Sequence, residues 1–323
     1  MAENHRDSSY YSRSPYYQLY KSLIIILIIG GGVLLALVIP GLFIFDPGLD
    51  LIHDPSFTPG LKDIVFIQYA MITQHLSLFI LPGIILMSRL KNPDQIGYPE
   101  ISKPVYTDLK STVFLTLCLF PILGITAEFN SALKFPEWLS GLGNWITERE
   151  DNVKSLLEIV FSDKRAGLIA INFVMIAVLP AIGEELIFRG IFQRIFIRMF
   201  RSGYAGVIFT AFLFSAIHLQ FLGFLPRFIL GLVCGLLFLW SGKLWLSVIV
   251  HFLNNTVVMA LMYLNYSESS AGTDGSNVWI QLAILFIMII PVTRILNGFR
   301  QRAVTEGKQV LQPSENQVAD QVP

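Results

Sequence analysis

The sequence predicts an all-α, polytopic membrane helix bundle with about eight transmembrane helices and both termini in the cytoplasm. The first reason is composition: of 323 residues, 54% are hydrophobic, 14% are charged, and the mean hydropathy is +0.61. A soluble domain carries roughly 25% charged residues, so much of the polar surface of a soluble protein is missing. The other two reasons are the length of the apolar stretches and the charge of the connections between them.

Eight apolar stretches approach the roughly 20 residues that a helix needs to cross a bilayer. They cover 22–45, 64–88, 111–133, 167–197, 204–222, 225–241, 244–265 and 278–296. The first follows a polar and aromatic segment and lacks a small-residue cleavage site, which indicates a retained anchor. The predicted organisation is a cytoplasmic segment 1–21, an integral membrane bundle 22–298, and a disordered cytoplasmic tail 299–323.

Charge separates the connections into two groups. Asp46, Asp50 and Asp54 dominate the first connection, whereas basic residues crowd those that lie on the other side. These basic residues are Arg89, Lys91, Lys103, Lys110, Arg194, Arg198, Arg201, Lys243, Arg294, Arg300 and Arg302. Connections rich in Lys and Arg face the cytoplasm. The short loops and tight basic clusters favour a bacterial cytoplasmic membrane.

The third connection, 134–166, has two interpretations. Its pattern Val153, Leu156, Leu157, Val160 and Phe161 is typical of an amphipathic helix at the membrane interface. A folded external loop fits the mixed charges of the same segment equally well.

Several functional classes find no support in the sequence. The net charge is zero, which gives no sign of a nucleic-acid partner. There is no Gly-rich phosphate loop, and no internal repeat of the kind that builds inverted-repeat transporters. Cys118 and Cys234 lie in apolar runs without metal or redox spacing, so both are predicted to be core residues.

Three charged residues interrupt the fourth apolar stretch: Glu184, Glu185 and Arg189. At mid-bilayer each costs about 2.5–3.5 kcal/mol on insertion scales, and such residues usually serve a function. They would instead be solvated if the helix ended near Gly183. The apolar pattern that resumes after Arg189 favours a helix that continues.

Helical geometry separates the two glutamates. Glu185 and Arg189 are four residues apart and share a face, whereas Glu184 is rotated by about 100°. Glu185 can therefore pair with Arg189. Glu184 has no local cation, and a carboxylate in that position is a candidate general base.

Two later apolar stretches carry further polar residues, namely His218 in the fifth and His251 with Asn255 in the seventh. His251 and Asn255 are one helical turn apart and present an imidazole and a carboxamide to the same neighbour. Together with Glu184, these residues would supply a base, a second acid or base, and two hydrogen-bond donors. Amide hydrolysis needs those groups.

The three motifs in order are EExxxR at Glu184, Glu185 and Arg189, FxxxH at Phe214 and His218, and HxxxN at His251 and Asn255. Over about 165–265 the chain resembles the CPBP family of intramembrane proteases, also called the CAAX protease and bacteriocin-processing or Abi family. The N-terminal half is similar only in that it is predicted to span the membrane.

The resemblance implies a catalytic set of Glu184, His218, His251 and Asn255, with Glu185 and Arg189 in support. It assigns water activation to Glu184 and His218, and oxyanion stabilisation to His251 and Asn255. No cofactor and no metal are expected from it. One carboxylate and two imidazoles also form a plausible zinc set, which ranks second because the family is described without a metal and no HExxH helix is present.

Distances along the helices place Glu184, His218 and His251 at different depths. They converge only if the fourth helix is long or tilted and the fifth begins nearer Val207 than Tyr204.

Other polar residues receive structural interpretations. Gln68 and His75 are expected to make interhelical hydrogen bonds, and Glu128 is expected at the interface. Arg227 is expected to extend toward lipid headgroups, with a substrate carboxylate as the alternative.

The leading functional prediction is an intramembrane endopeptidase that cleaves a membrane-associated peptide or protein substrate with a glutamate-activated water. The alternatives are a non-proteolytic scaffold or immunity protein that uses the same pocket to bind a partner, and a proton-coupled transporter. The lipid bilayer is the other expected partner, and no nucleic acid is expected.

Overall fold

The computed structural model describes residues 14–45, 60–88, 106–133, 135–264 and 278–305. Over these residues the chain is helical apart from short turns, and no strand is present in them. The helices in chain order are α1 (Pro15–Ile44), α2 (Leu61–Ser88), α3 (Thr107–Ser131), α4 (Ser140–Ser162), α5 (Ala166–Phe200), α6 (Gly203–Ala216), α7 (Phe221–Ser241), α8 (Leu244–Tyr263) and α9 (Val278–Thr305). Thr305 lies beyond the predicted start of the tail at 299, and residues 306–323 are outside the described part.

Seven helices of the described part are long and apolar enough to cross a membrane: α1, α2, α3, α5, α7, α8 and α9. The prediction of a multi-pass helical bundle is therefore confirmed. The predicted fifth span, 204–222, differs, because α6 has only 14 residues and ends at Ala216. The chain turns at residues 217–220, and Leu219 takes a left-handed φ of 53°, so the helix does not continue although the sequence stays apolar.

The third connection contains a helix, α4, as the amphipathic pattern predicted. Ile146 and Val160 on its inner face are buried, whereas most of the other face is exposed. Trp138, just before α4, is 80% exposed, and Trp145 is 38% exposed. Exposed tryptophan is typical of the membrane–water interface, which supports the interfacial interpretation over a folded loop.

Helices α5 to α8 form the centre of the bundle, with α2 packed on α5 and α3 packed on α7 and α8. Gly183 allows α2 to approach α5 closely, since a Cβ atom there would lie 2.9 Å from the Cβ of Phe79. Gly206 does the same for α5 and α6, because its Cβ would lie 2.7 Å from the backbone nitrogen of Ile197. Cys118 and Cys234 are free and buried, which confirms the interpretation of both as core residues.

Candidate active site

Three side chains from three separate parts of the chain converge in the middle of the bundle. Glu184 lies near the middle of α5, and its Oε2 is 4.0 Å from Nε2 of His218 and 3.9 Å from Nε2 of His251. The Glu184 and His251 side chains are 6% and 4% exposed, and that of His218 is 27% exposed. We call this group of three the Glu184 pocket.

Both imidazoles are oriented by a bond from their other nitrogen. Nδ1 of His218 lies 2.8 Å from the carbonyl oxygen of Phe214, and Nδ1 of His251 lies 3.0 Å from Oε1 of Glu185. Carbonyl and carboxylate oxygens accept hydrogen bonds, so Nδ1 carries the proton in each ring. In the neutral rings, Nε2 therefore presents a lone pair toward Glu184.

Glu185 and Arg189 form the predicted pair, with Oε1 of Glu185 2.9 Å from Nη1 of Arg189. Arg189 also donates to the carbonyl oxygen of Gly231 at 3.1 Å, and its guanidinium lies 4.8 Å from the centre of the Phe214 ring. Glu185 is 0% and Arg189 1% exposed, which does not fit a solvated helix end near Gly183. Since Oε1 of Glu185 contacts both Arg189 and His251, this pair holds His251 in place.

Asn255 lies one turn beyond His251 and has a different partner. Its Nδ2 donates to the carbonyl oxygen of Ile176 on α5 at 3.1 Å. Pro180 lies four residues after Ile176 and has no N–H, so it cannot make the usual α-helical hydrogen bond to the Ile176 carbonyl. Asn255 donates to this oxygen instead. This bond uses one of the two amide protons of Asn255, and the other remains available for a substrate.

His218 lies in the turn after α6, although the sequence placed it within a helix. The neighbouring helices hold this turn and the start of α7 at several points. Ser215 donates to the Phe224 carbonyl at 2.6 Å, Asn130 of α3 donates to the Phe221 carbonyl at 2.6 Å, and the Leu222 N–H donates to Glu150 of α4 at 3.0 Å. These bonds fix His218 relative to Glu184.

The predicted difference in membrane depth between Glu184, His218 and His251 is resolved partly as expected. Helix α5 is indeed long, with 35 residues. The expected start of the fifth helix near Val207 is wrong, since α6 begins at Gly203. His218 instead reaches the pocket because α6 is short and the turn follows at once.

Arg227 and Glu150 are two residues near the pocket whose position the sequence did not indicate. Arg227 was expected among lipid headgroups, but its guanidinium donates to the backbone carbonyl of Gln220 at 2.9 Å and to the Gln220 side chain. It lies within electrostatic range of Glu184 and Glu150. An arginine within an apolar helix, nine residues after a candidate catalytic histidine, was the available signal.

Gln68, His75 and Glu128, the remaining polar residues singled out in the sequence, have different contacts. Gln68 makes the interhelical bond expected of it, donating to Oδ1 of Asn172 at 2.7 Å. His75 does not make the expected interhelical bond through Nδ1, which has no hydrogen-bond partner among the described residues, and its ring centre lies 5.7 Å from that of Phe79 on the same helix. Glu128 accepts from Gln281 of α9 at 2.7 Å.

The zinc alternative can be tested against the arrangement of the side chains. Two ligands of one zinc, each about 2.0–2.1 Å from a tetrahedral ion, lie roughly 3.4 Å apart. The Nε2 atoms of His218 and His251 lie 4.0 and 3.9 Å from Glu184 Oε2. Within the described ranges, no three His, Cys, Asp or Glu side chains are arranged to hold a metal ion.

Comparison with known proteins finds a family match for part of the chain. Residues 166–257, which carry all three motifs, match the family described as Type II CAAX prenyl endopeptidase Rce1-like. The resemblance to the CAAX protease family is thus confirmed for this part of a multi-pass membrane protein, and it supports a membrane protease. No curated protein and no solved structure gives a significant match.

Proposed function

We propose that the protein is an intramembrane endopeptidase that hydrolyses a peptide bond of a membrane-associated substrate with a water molecule activated by Glu184. The observation that carries the proposal is the convergence of Glu184, His218 and His251 in a buried pocket of a chain whose residues 166–257 match a CAAX endopeptidase family.

The family resemblance assigns water activation to Glu184 and His218, and the distance between them is compatible with that role, although His251 lies about as close to the same oxygen. About 4 Å between Glu184 Oε2 and His218 Nε2 is too long for a direct hydrogen bond, but it suits two acceptors that bind the two protons of one water molecule. Glu184 takes a proton as the water oxygen attacks the carbonyl carbon. The same proton then passes to the leaving amine as the C–N bond breaks.

The oxyanion formed by this attack requires hydrogen-bond donors. Nε2 of His251 must carry a proton to donate to the oxyanion, and the bond from Nδ1 to Glu185 fixes the orientation of the ring. Asn255 offers its second amide proton from one turn further along α8. Removal of one such donor typically costs about 10²–10³ in kcat.

The first test looks for cleavage across all the proteins of a membrane, so no substrate has to be chosen. Membrane fractions of cells that express wild type or Glu184→Gln are compared for new peptide N-termini. We expect a set of N-termini that wild type produces and Glu184→Gln does not. The matched control is Glu158→Gln, the same substitution at an exposed position on α4, which should behave as wild type.

The second test uses purified protein and a peptide from that set. Glu184→Gln should lower kcat by about 10³-fold or more, within the range typical of general-base loss. Equal cleavage by wild type and Glu184→Gln would remove the catalytic proposal. Chelators should leave the rate unchanged, whereas loss of activity that zinc restores would favour the metal alternative. A variant that accumulates and complements a deletion strain without cleavage would favour the scaffold.

A further inference from the structure

The two ends of the bundle differ in structure. At one end α3 terminates, α4 contacts the start of α7, α5 begins, and the turn with His218 joins α6 to α7; we call it the α4 end. At the other, α5 terminates, α6 begins, and α7 joins α8; we call it the basic end. Asp108 at the start of α3 bonds to Lys243 and Arg302, which places the start of α8 and the end of α9 at the basic end as well.

The Glu184 pocket is most exposed toward the α4 end. The 14 residues of α6 rise about 21 Å from the basic end, whereas the hydrocarbon core is about 30 Å thick. The turn after α6 therefore lies roughly 9 Å below the membrane surface at the α4 end. His218 in this turn has the most exposed side chain of the pocket, at 27%.

Toward the basic end the interior is filled. Phe188 and Arg189 follow Glu184 on α5 and are each 1% exposed, and Gln193 one turn later is 0% exposed. Arg189 and Gln193 donate to the carbonyl oxygens of Gly231 and Gly235 on α7. These contacts close the route between the pocket and the basic end.

Charge indicates which end faces the cytoplasm. The basic end carries Lys110, Arg194, Arg198, Arg201, Lys243, Arg294, Arg300 and Arg302. The segment at the α4 end, 135–165, carries Arg149, Lys154, Lys164 and Arg165 among the acidic residues Glu137, Glu148, Glu150, Asp151, Glu158 and Asp163. An excess of Lys and Arg marks the cytoplasmic side of a membrane protein.

We propose that the Glu184 pocket opens at the α4 end and that this end faces away from the cytoplasm. The substrate bond would then reach Glu184 from the non-cytoplasmic side, past α4 and the turn with His218. The substrates would be exported peptides or the non-cytoplasmic segments of membrane proteins. The location of the opening follows from geometry and charge alone, whereas the statement about substrates rests on the proposed function.

Cysteine labelling tests the location of the opening independently of catalysis. Cys118 and Cys234 are first replaced by Ala, and single cysteines are introduced as Glu148→Cys on α4, His218→Cys in the pocket and Gln301→Cys at the basic end. If His218→Cys does not accumulate in the membrane, Gln220→Cys in the same turn replaces it as the label site. Each variant is treated with a membrane-impermeant maleimide in cells stripped of any outer envelope, before and after permeabilisation.

We expect the Glu148 and His218 variants to be labelled in sealed cells, and the Gln301 variant only after permeabilisation. Labelling of the Gln301 variant in sealed cells, with protection of the Glu148 variant, would overturn the orientation. If Glu148→Cys reacts while His218→Cys and Gln220→Cys are both protected, the proposal that the pocket opens at the α4 end would be contradicted. Because labelling requires no turnover, an inactive protein with the expected pattern would contradict the protease proposal alone.

Discussion

Two clusters of charged side chains in the bundle have opposite properties. At the basic end Asp108 is paired through both oxygens, with Lys243 at 2.8 Å and Arg302 at 2.6 Å. We call these three residues the Asp108 cluster. In the Glu184 pocket, by contrast, Oε2 of Glu184 is buried without a hydrogen-bond partner among the described residues. A buried polar atom without a partner costs about 1–3 kcal/mol, a cost that a bound water molecule or substrate group at Glu184 would remove.

The difference shows how a structural charge can be distinguished from a functional one inside a membrane. The Asp108 cluster joins α3, the start of α8 and the end of α9, and its bonds are satisfied within the protein. The Glu184 pocket keeps acceptor atoms about 4 Å apart, a spacing that suits water or substrate. The experiments below would break or sharpen this distinction.

The largest effect is expected from the two histidines of the Glu184 pocket. His218→Ala and His251→Ala should each lower kcat by about 10²–10⁴-fold, because each removes a group that faces Glu184 Oε2. Kinetics on a cleaved peptide would measure this effect, with Asp108→Asn as the control expected to retain activity. Activity of His218→Ala close to that of wild type would remove this residue from the mechanism.

The next effect concerns stability. Arg189→Leu leaves the buried Glu185 carboxylate without its arginine and should destabilise the fold by about 3–5 kcal/mol. The double variant Glu185→Leu with Arg189→Leu should be more stable than Arg189→Leu alone, because no unpaired charge remains. Unfolding of the purified proteins in detergent would compare them. Equal or greater destabilisation of the double variant would show that the pair does not act as a buried ion pair.

A smaller effect is expected in the Asp108 cluster. Asp108→Asn removes the charge that Lys243 and Arg302 share and should cost about 1–2 kcal/mol, because Arg302 remains partly in solvent. Unfolding measurements on Asp108→Asn, Arg302→Gln and the double variant would give the coupling energy. A loss of kcat beyond the loss of folded protein would contradict a purely structural role for this cluster.

The smallest effect is expected at Leu219, beside His218. Its φ of 53° is left-handed, a conformation that Asn tolerates and β-branched residues do not. Leu219→Asn should therefore change stability by about 0.5 kcal/mol or less, whereas Leu219→Val should cost about 1–2 kcal/mol and lower kcat by displacing His218. Equal behaviour of the two variants would show that the turn does not fix the histidine.

Local periodicity accounts for what could be predicted. Apolar stretches of helix length predicted the bundle, and the spacing of four predicted the pair Glu185–Arg189, since both follow from one helix alone. The end of α6 at Ala216 could not be predicted from periodicity. The apolar pattern continues past it, and the turn depends on hydrogen bonds from Asn130 of α3 and Glu150 of α4.

By itself the sequence determined a lipid-embedded helical protein, the three motifs, and the separation of Glu184 from its paired neighbour. These properties depend on composition and on spacing within single helices. Only the tertiary structure decided that His218 and His251 meet at one oxygen of Glu184, that Asn255 bonds the carbonyl of Ile176, and that Arg227 joins the turn beside the pocket. The contacts of Glu184 with the two histidines and of Asn255 with Ile176 join residues far apart in the chain, and helix packing brings them together. The contact of Arg227 spans only seven residues, but it depends on the turn that ends α6.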